Sequence, residues 1–151
     1  LPRFMPSASS RRTAATTASR ADLHAVLHTH STHAAALACL RYELPAFHYM
    51  VAVAGGDSVP CVPYQLFGTE ALSAAVAQGL QHRDACLLAN HGLVAAGPTL
   101  ARAMKVAQEI ESLCETYLLA LAVGEPVLLS RAQMDEVIQR FRSYGQAARK
   151  P

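Results

Sequence analysis

The chain has 151 residues, of which 52% are apolar and 16% charged, and its formal net charge is +2. This length predicts one domain over residues 1–151 that buries a sizeable core without needing disulfides or a structural metal. The small net charge gives no support for a nucleic-acid partner, and no apolar run reaches the roughly 18 residues of a membrane-spanning helix. We expect a soluble, cytoplasmic protein with buried thiols, because the four cysteines are scattered without CxxC spacing: Cys39, Cys61, Cys86 and Cys114.

The first twenty residues differ in composition from the rest of the chain. Serine, threonine, alanine and arginine dominate residues 1–20, and no acidic residue precedes Asp22. From there the pattern becomes regular, with a short apolar strand predicted over residues 23–27 and an alanine-rich helix over residues 31–40. The polar sequence HTH lies at the junction between them.

The middle of the chain alternates apolar runs with turn residues. Residues 47–54 are predicted to form a strand closed by Gly55 and Gly56, and the proline-rich residues 60–63 a loop. Thr69 is a candidate N-cap of a helix whose apolar residues keep helical spacing.

The second half begins with a buried strand over residues 86–89, a turn at Asn90-His91-Gly92 and extended structure over residues 93–95. A long helix ended by Gly124 is predicted from apolar residues spaced by three and four, which are Leu100, Ala103, Met104, Ala107, Ile110, Cys114, Tyr117 and Leu121. A last helix opens with a capping box, Ser130 and Gln133, and carries Val137, Ile138 and Phe141 on one face. Interspersed strands and helices predict a three-layer α/β fold.

The histidines are clustered. His28 and His30 are two residues apart at a strand end, so both imidazoles can face one cation, and His91 lies at a turn after another strand. Three neutral imidazoles leave zinc an open coordination position, as catalytic sites do. The alternative is an incidental HxH on a strand, which spacing alone does not exclude. No GxSxG, GxGxxG or Walker spacing favours hydrolase or nucleotide chemistry.

Four segments closely resemble the zinc-dependent class II aldolases of the fuculose-1-phosphate type, within the class II aldolase and adducin family. They are HAVLHTHS (24–31), PAFHYMVAVAGGDSVPCVPY (45–64), FGT (67–69) and CLLANHGLVAAG (86–97), in the family's order and spacing. The resemblance runs from about residue 6 to residue 144. It implies a central, mainly antiparallel sheet flanked by helices, and Zn²⁺ held by His28, His30 and His91.

The resemblance also implies roles for other residues. Family enzymes cleave L-fuculose 1-phosphate to dihydroxyacetone phosphate and L-lactaldehyde, and Tyr49 stands at the position of a tyrosine that exchanges a proton with the aldehyde oxygen across a subunit boundary. Phe67 and Tyr144 are expected to line the aldehyde pocket, and Ser7 to bind the substrate phosphate. A structural alternative for Tyr49 and Phe67 is a half-buried aromatic on a core strand or loop.

The chain departs from the family pattern near its start. Pro6, Ser7, Ala8 and Ser9 stand where the family has Pro-Ser-Ser-Glu, so Ser9 replaces the glutamate that serves as fourth zinc ligand and catalytic base. The family's N-terminal part has no counterpart before Leu1, and we expect an N-terminally truncated domain. Three explanations compete for residues 7–19: a frame error, real divergence in an inactive relative, and a targeting peptide, which is disfavoured because it would replace domain sequence rather than precede it.

The resemblance implies a zinc-dependent sugar-phosphate aldolase, a homotetramer in the intact protein, with activity impaired by the missing glutamate. A pentulose-phosphate 4-epimerase, which uses the same metal and a retro-aldol step, is one alternative. A non-catalytic adducin-like interaction module is another, against which the three retained histidines argue.

Overall fold

The computed structural model of the chain describes residues 20–144. It contains four strands, one 3-10 helix and four α-helices. In chain order these are β1 (Ala25–Thr29), α1 (Thr32–Cys39), the 3-10 helix (Tyr49–Ala54), β2 (Cys61–Val62), α2 (Glu70–Gly79), β3 (Ala85–Leu88), β4 (Gly92–Gly97), α3 (Leu100–Val123) and α4 (Arg131–Tyr144).

The four strands form one sheet in the order β1-β4-β3-β2. Strand β4 is antiparallel to both β1 and β3, whereas β2 pairs with β3 in parallel. The prediction of a mainly antiparallel sheet is confirmed. In the β1–β4 register His28 lies opposite Val94 and Thr29 opposite Leu93, so the end of β1 meets the start of β4.

Both faces of the sheet are covered, because successive residues of a strand point to opposite sides. Leu87 and Leu93 belong to a large core cluster with α1, the 3-10 helix, α3 and Met134 of α4. Cys86 and Val94 belong to a smaller cluster on the other face, with Val76 and Leu80 beneath α2. Helices on two faces of a central sheet confirm the predicted three-layer α/β fold.

Helix starts agree with the sequence analysis. The Thr69 hydroxyl accepts a hydrogen bond from the backbone N–H of Leu72 at the start of α2. The capping box before α4 is present in both directions, with 3.2 Å from Gln133 N to Ser130 Oγ and 2.8 Å from Ser130 N to Gln133 Oε1. Helix α3 ends at Val123, immediately before Gly124. Within residues 20–144, no helix is long and apolar enough to span a bilayer.

One strand prediction and one loop prediction are wrong. Residues 49–54 form a 3-10 helix in place of a strand, closed by Gly55 in a left-handed conformation with φ of 83°. His48 Nδ1 accepts the backbone N–H of Met50 and so caps this helix. The loop predicted over residues 60–63 contains the short strand β2, whose two residues pair with Leu87 and Leu88 of β3.

Burial differs from expectation at several positions. Only two thiols are buried, and burial raises the pKa of both Cys86 and Cys114 to about 12. Cys39 is exposed in the last turn of α1, and Cys61 is half-buried on the edge strand β2. Three side chains predicted to lie on buried helix faces are exposed, namely Leu100, Met104 and Phe141. They lie toward the start of α3 and the end of α4.

Candidate metal centre

The structure brings three histidines from two chain segments together. His28 is in β1, His30 directly follows that strand, and His91 lies in the turn between β3 and β4. Ring centroids are 4.7 Å apart for His28 and His30, 4.8 Å for His28 and His91, and 5.0 Å for His30 and His91. The antiparallel pairing of β1 with β4 produces this convergence, since it places the end of one strand beside the turn that opens the other.

A backbone hydrogen bond sets the tautomer of His28. Its Nδ1 lies 3.0 Å from the carbonyl oxygen of Leu93, which is an acceptor only, so Nδ1 carries the proton and donates. The Nε2 atom therefore has a free lone pair. It lies 3.0 Å from Nε2 of His30, a distance at which either a proton or a cation can be shared between the two rings. Metal-ligating histidines typically donate their other ring N–H to a carbonyl or carboxylate, as His28 does to Leu93.

The surroundings favour neutral imidazoles. Partial burial lowers the pKa of His28, and repulsion from His91 and His30 lowers it further. The hydrogen bond to Leu93 raises it but is the weaker effect, so the net pKa lies below its ordinary value. Burial and the proximity of His30 also lower the pKa of His91. Because a histidine binds a metal only in its neutral form, lowered pKa values suit a ligand role.

The donor set fits a divalent zinc ion. The candidate ligand atoms of His28, His30 and His91 all lie within 4.8 Å of one another, and among residues 20–144 they are the one group of three so arranged. In a tetrahedral site with Zn–N bonds of 2.0–2.1 Å, two ligating nitrogens are about 3.3 Å apart. The 3.0 Å separation of the His28 and His30 nitrogens is close to that value. His28 is partly buried against its neighbours, but both His28 and His30 keep solvent-accessible surface, so a further ligand can approach from solvent.

Gly92 allows the two segments to approach each other. A Cβ atom at Gly92 would lie 2.4 Å from the Thr29 carbonyl oxygen and 3.1 Å from Cδ2 of His30. The nearer contact, which is to backbone, is shorter than real Cβ atoms show, and the contact to His30 is tighter than most. The close approach of the two segments therefore requires a residue without a Cβ atom directly after His91.

Gly92→Ala is expected to separate the ends of β1 and β4. Overpacking of this kind costs about 1–3 kcal/mol of unfolding free energy, and the displacement of His30 should also weaken zinc binding. Urea denaturation of the metal-free protein and zinc titration measure the two effects. Gly97→Ala, at the far end of β4, is the control, since its Cβ would also overpack, 2.8 Å from Arg102 Cγ and 3.1 Å from the Ala103 backbone nitrogen, but remote from the histidines. Equal zinc affinity in both variants would contradict the steric account.

Glu111 of α3 caps the helix that follows the HxH pair. Its carboxylate accepts the backbone N–H of His33 at 2.9 Å and that of Ala34 at 2.8 Å, in the first turn of α1. His33 Nδ1 lies 3.0 Å from the same carboxylate. Burial raises the pKa of Glu111, but the hydrogen bonds from His33, Ala34 and Ser31 outweigh burial, and the net pKa lies below its ordinary value.

A carboxyl whose pKa is lower in the folded than in the unfolded state stabilises the fold above its unfolded pKa. That contribution is lost as the pH falls from about 4.5 through the lower folded value. In metal-free protein, we therefore expect the stability difference between wild type and Glu111→Gln to be largest at neutral pH and to shrink on acidification. Urea midpoints measured between pH 3 and pH 7 test this. The side chains near Glu111 are Ser31, His33 and Cys114, with Glu115 beyond His33. A pH-independent difference would contradict the assignment.

The residues expected to act on substrate lie outside the histidine cluster. Tyr49 begins the 3-10 helix with its side chain 51% exposed, and its ring stacks on His48. It borders an open cavity of about 490 Å³ whose other lining residues are Met50 and four residues of α4, Glu136, Val137, Arg140 and Phe141. Phe67 lies in the turn before α2 and is 76% exposed. The core-aromatic alternative is therefore wrong for Phe67.

Three predicted residues fall outside the described part of the chain. Ser7 and Ser9 precede residue 20, and the side chain of Tyr144, the last residue of α4, is not described. Their roles stay predictions. Conversely, sequence reasoning missed Glu111, which accepts a hydrogen bond from His33, 78 residues away, and has no local signal of that contact.

Comparisons with known proteins agree with this geometry. Residues 5–118 match the family model "Class II Aldolase and Adducin N-terminal domain". The 5-methylthioribulose-1-phosphate/5-deoxyribulose-1-phosphate aldolase of Rhodospirillum rubrum is 45% identical over 134 residues, 89% of this chain and 61% of that protein. The L-fuculose phosphate aldolase of Escherichia coli is 44% identical over 142 residues, 93% of this chain and 66% of that protein.

The same likeness holds in three dimensions. A solved structure of L-fuculose 1-phosphate aldolase superposes with a TM-score of 0.86 at 38% identity, covering 93% of this chain and 66% of that one. The chain belongs to the class II aldolase and adducin N-terminal domain family. It spans 61% and 66% of the length of the two curated relatives named above.

Proposed function

We propose that this protein is a metal-dependent class II aldolase that cleaves a ketose 1-phosphate into dihydroxyacetone phosphate and an aldehyde, with zinc as the metal. The observation that carries the proposal is the convergence of His28, His30 and His91, with Nε2 of His28 unprotonated and directed at its neighbour. The names of the relatives supply the substrate class, since they act on L-fuculose phosphate and on 5-deoxyribulose 1-phosphate.

The reaction defines what the chain's residues must do. The C4 hydroxyl loses its proton, the C3–C4 bond breaks with its electron pair moving to C3, and C3 then takes up a proton. A bound divalent cation supplies Lewis-acid stabilisation of the negative charge left on the ketose fragment. The Leu93 carbonyl holds the His28 imidazole in the ligating tautomer, while Tyr49 exchanges the proton at the C4 oxygen.

We place Tyr49 at a boundary between subunits of a homotetramer. Support comes from the exposure of Tyr49 and Phe67 and from the cavity beside Tyr49, which none of the three histidines lines. In one subunit, then, the cavity beside Tyr49 does not include the metal centre, and a neighbour's tyrosine would complete the site. Sedimentation of the protein tests this, because a fully active monomer would contradict it.

Substrate assays test the reaction itself. L-fuculose 1-phosphate and 5-deoxyribulose 1-phosphate are incubated separately with zinc-loaded protein, and dihydroxyacetone phosphate is measured by coupled reduction. Release of dihydroxyacetone phosphate that stops on chelation and returns with zinc supports the proposal. Conversion of a pentulose 5-phosphate to its C4 epimer, with no triose phosphate formed, would favour the epimerase in its place.

Tyr49→Phe removes only the phenolic hydroxyl and is expected to lower kcat far more than it raises KM. Loss of a positioned proton donor commonly costs about 100- to 10,000-fold in rate. The comparison is made in a chain carrying Ser9→Glu, in which we expect higher turnover. Tyr42→Phe is the control, since that tyrosine is equally exposed on another segment. A proportionate rise in KM without a fall in kcat would remove Tyr49 from proton transfer.

A further inference from the structure

Helix α1 begins immediately beside one half of the metal centre. It starts at Thr32, two residues after His30, and its N-cap Ser31 makes no side-chain capping hydrogen bond. The N–H groups of a first helical turn have no partner within the helix and need one from elsewhere. Here the partner is Glu111 of α3, whose two carboxylate oxygens accept the N–H groups of His33 and Ala34. A negative charge at this end also interacts favourably with the helix dipole.

The other end of α1 contacts the other half of the centre. The backbone N–H of Asn90, the residue before His91, donates to the carbonyl oxygen of Ala38 at 3.0 Å. The Asn90 side chain accepts a hydrogen bond from Arg41 Nε at 2.9 Å. Arg41 and Asn90 are the two non-glycine residues with positive φ within residues 20–144, at 57° and 56°. The turn that carries His91 is therefore attached to the end of α1.

We propose that Glu111 is a positioning residue for the metal centre. By capping α1 it holds His30 at one end of this helix in register with His91, whose turn is attached to the other end. Glu111 accepts hydrogen bonds from His33 and Ala34 and from none of the three histidines of the cluster, so its effect is transmitted through the helix. The inference rests on the proposed function, since it takes these histidines as metal ligands.

Glu111→Gln separates this role from simple loss of a side chain. Glutamine keeps the size of glutamate but has one acceptor oxygen, so it satisfies one of the two backbone N–H groups and presents an NH₂ to the other. Glu111→Ala satisfies neither. The two variants should therefore form a graded series, with alanine the more severe.

Co²⁺ is the probe, because its visible absorption reports the geometry of its ligands. Titration of the 151-residue chain is expected to give about 10-fold weaker binding in Glu111→Gln and about 100-fold weaker in Glu111→Ala, the range seen when residues that support metal ligands are lost. The absorption bands should also change in shape, because the angle between His30 and His91 changes. All titrations are done at a temperature where circular dichroism shows each variant folded.

Two controls distinguish positioning from stability. Glu115→Gln alters the neighbouring carboxylate of α3, which is 3.9 Å from His33 Nε2 and mostly exposed. Val76→Ala weakens the core on the opposite face of the sheet. Both should bind Co²⁺ with the wild-type affinity and spectrum, although Val76→Ala lowers the melting temperature.

The outcomes separate this inference from the proposed function. Wild-type spectra and affinity in both Glu111 variants would overturn the positioning role while leaving the metal centre intact. An equal loss in Val76→Ala would also overturn it, because the effect would then follow stability alone. No Co²⁺ binding by the folded wild-type chain would overturn the metal centre and the inference together.

Discussion

Replacing His28, His30 and His91 together with alanine is expected to reduce the zinc content of the purified chain from one ion per chain to background. The three candidate ligand atoms lie within 4.8 Å of one another, and removing all of them leaves no nitrogen donors at this place. Single substitutions should already weaken binding strongly, with His28→Ala the clearest case because its free Nε2 is fixed by the bond to Leu93. Elemental analysis after dialysis measures the zinc content.

His24→Ala is the matched control for this experiment. His24 is exposed and just precedes β1, and its backbone N–H donates to Gly97 at the far end of β4. Its substitution should leave one zinc per chain. Stoichiometric zinc retained by the triple variant would show that the metal is bound elsewhere and would end the assignment.

Ser9→Glu is expected to give the largest gain in activity. The family resemblance places a glutamate at this position, as fourth zinc ligand and as the base that moves the proton at C3. A serine hydroxyl has a pKa far above neutrality and cannot do this work, and the absence of a general base commonly costs about 100- to 10,000-fold in rate. The variant should bind zinc more tightly and recover part of that factor.

Full recovery is not expected from the carboxylate alone. Ala8 stands where the family has a phosphate-binding serine, and binding energy from the remote phosphate contributes to turnover. Retro-aldol rates are therefore compared for the chain as it is, for Ser9→Glu, and for Ser9→Glu combined with Ala8→Ser. Equal rates in all three would show that the glutamate is not needed, and the explanation of impaired activity would be wrong.

The local part of the metal centre was predictable from sequence. A period of two at a strand end places His28 and His30 on one side, and an apolar strand followed by Asn90-His91-Gly92 marks a turn. What sequence does not give is the register of β1 against β4, which pairs Thr29 with Leu93 and so brings His91 to the pair. The match to a known family supplied that step.

The wrong prediction over residues 47–54 has a physical cause. Val51, Ala52, Val53 and Ala54 are all buried, so no alternation or helical period distinguishes a strand from a short buried helix. The deciding interactions are the His48 side chain, which caps the first turn, and Gly55, which ends the segment with positive φ. The sequence indicated that Gly55 ends the segment, but it did not predict that the His48 side chain caps its start.

Long-range support was beyond sequence reasoning. On α3, Glu111 lies between the buried Ile110 and the exposed Ser112. From sequence alone, a carboxylate at this position is expected to face solvent. Its partners are backbone N–H groups 77 and 78 residues earlier, and any residue type presents such groups. Hence no sequence pattern around residue 33 predicts the contact with Glu111.

The bond between His28 and the Leu93 carbonyl has a consequence for how this site changes over evolution. A backbone carbonyl is present whatever amino acid occupies position 93, so no exchange of that side chain deletes the acceptor. Glu111, in contrast, is lost by a single codon change. Descendants that lose the cap on α1 therefore still inherit the carbonyl that keeps the proton on His28 Nδ1.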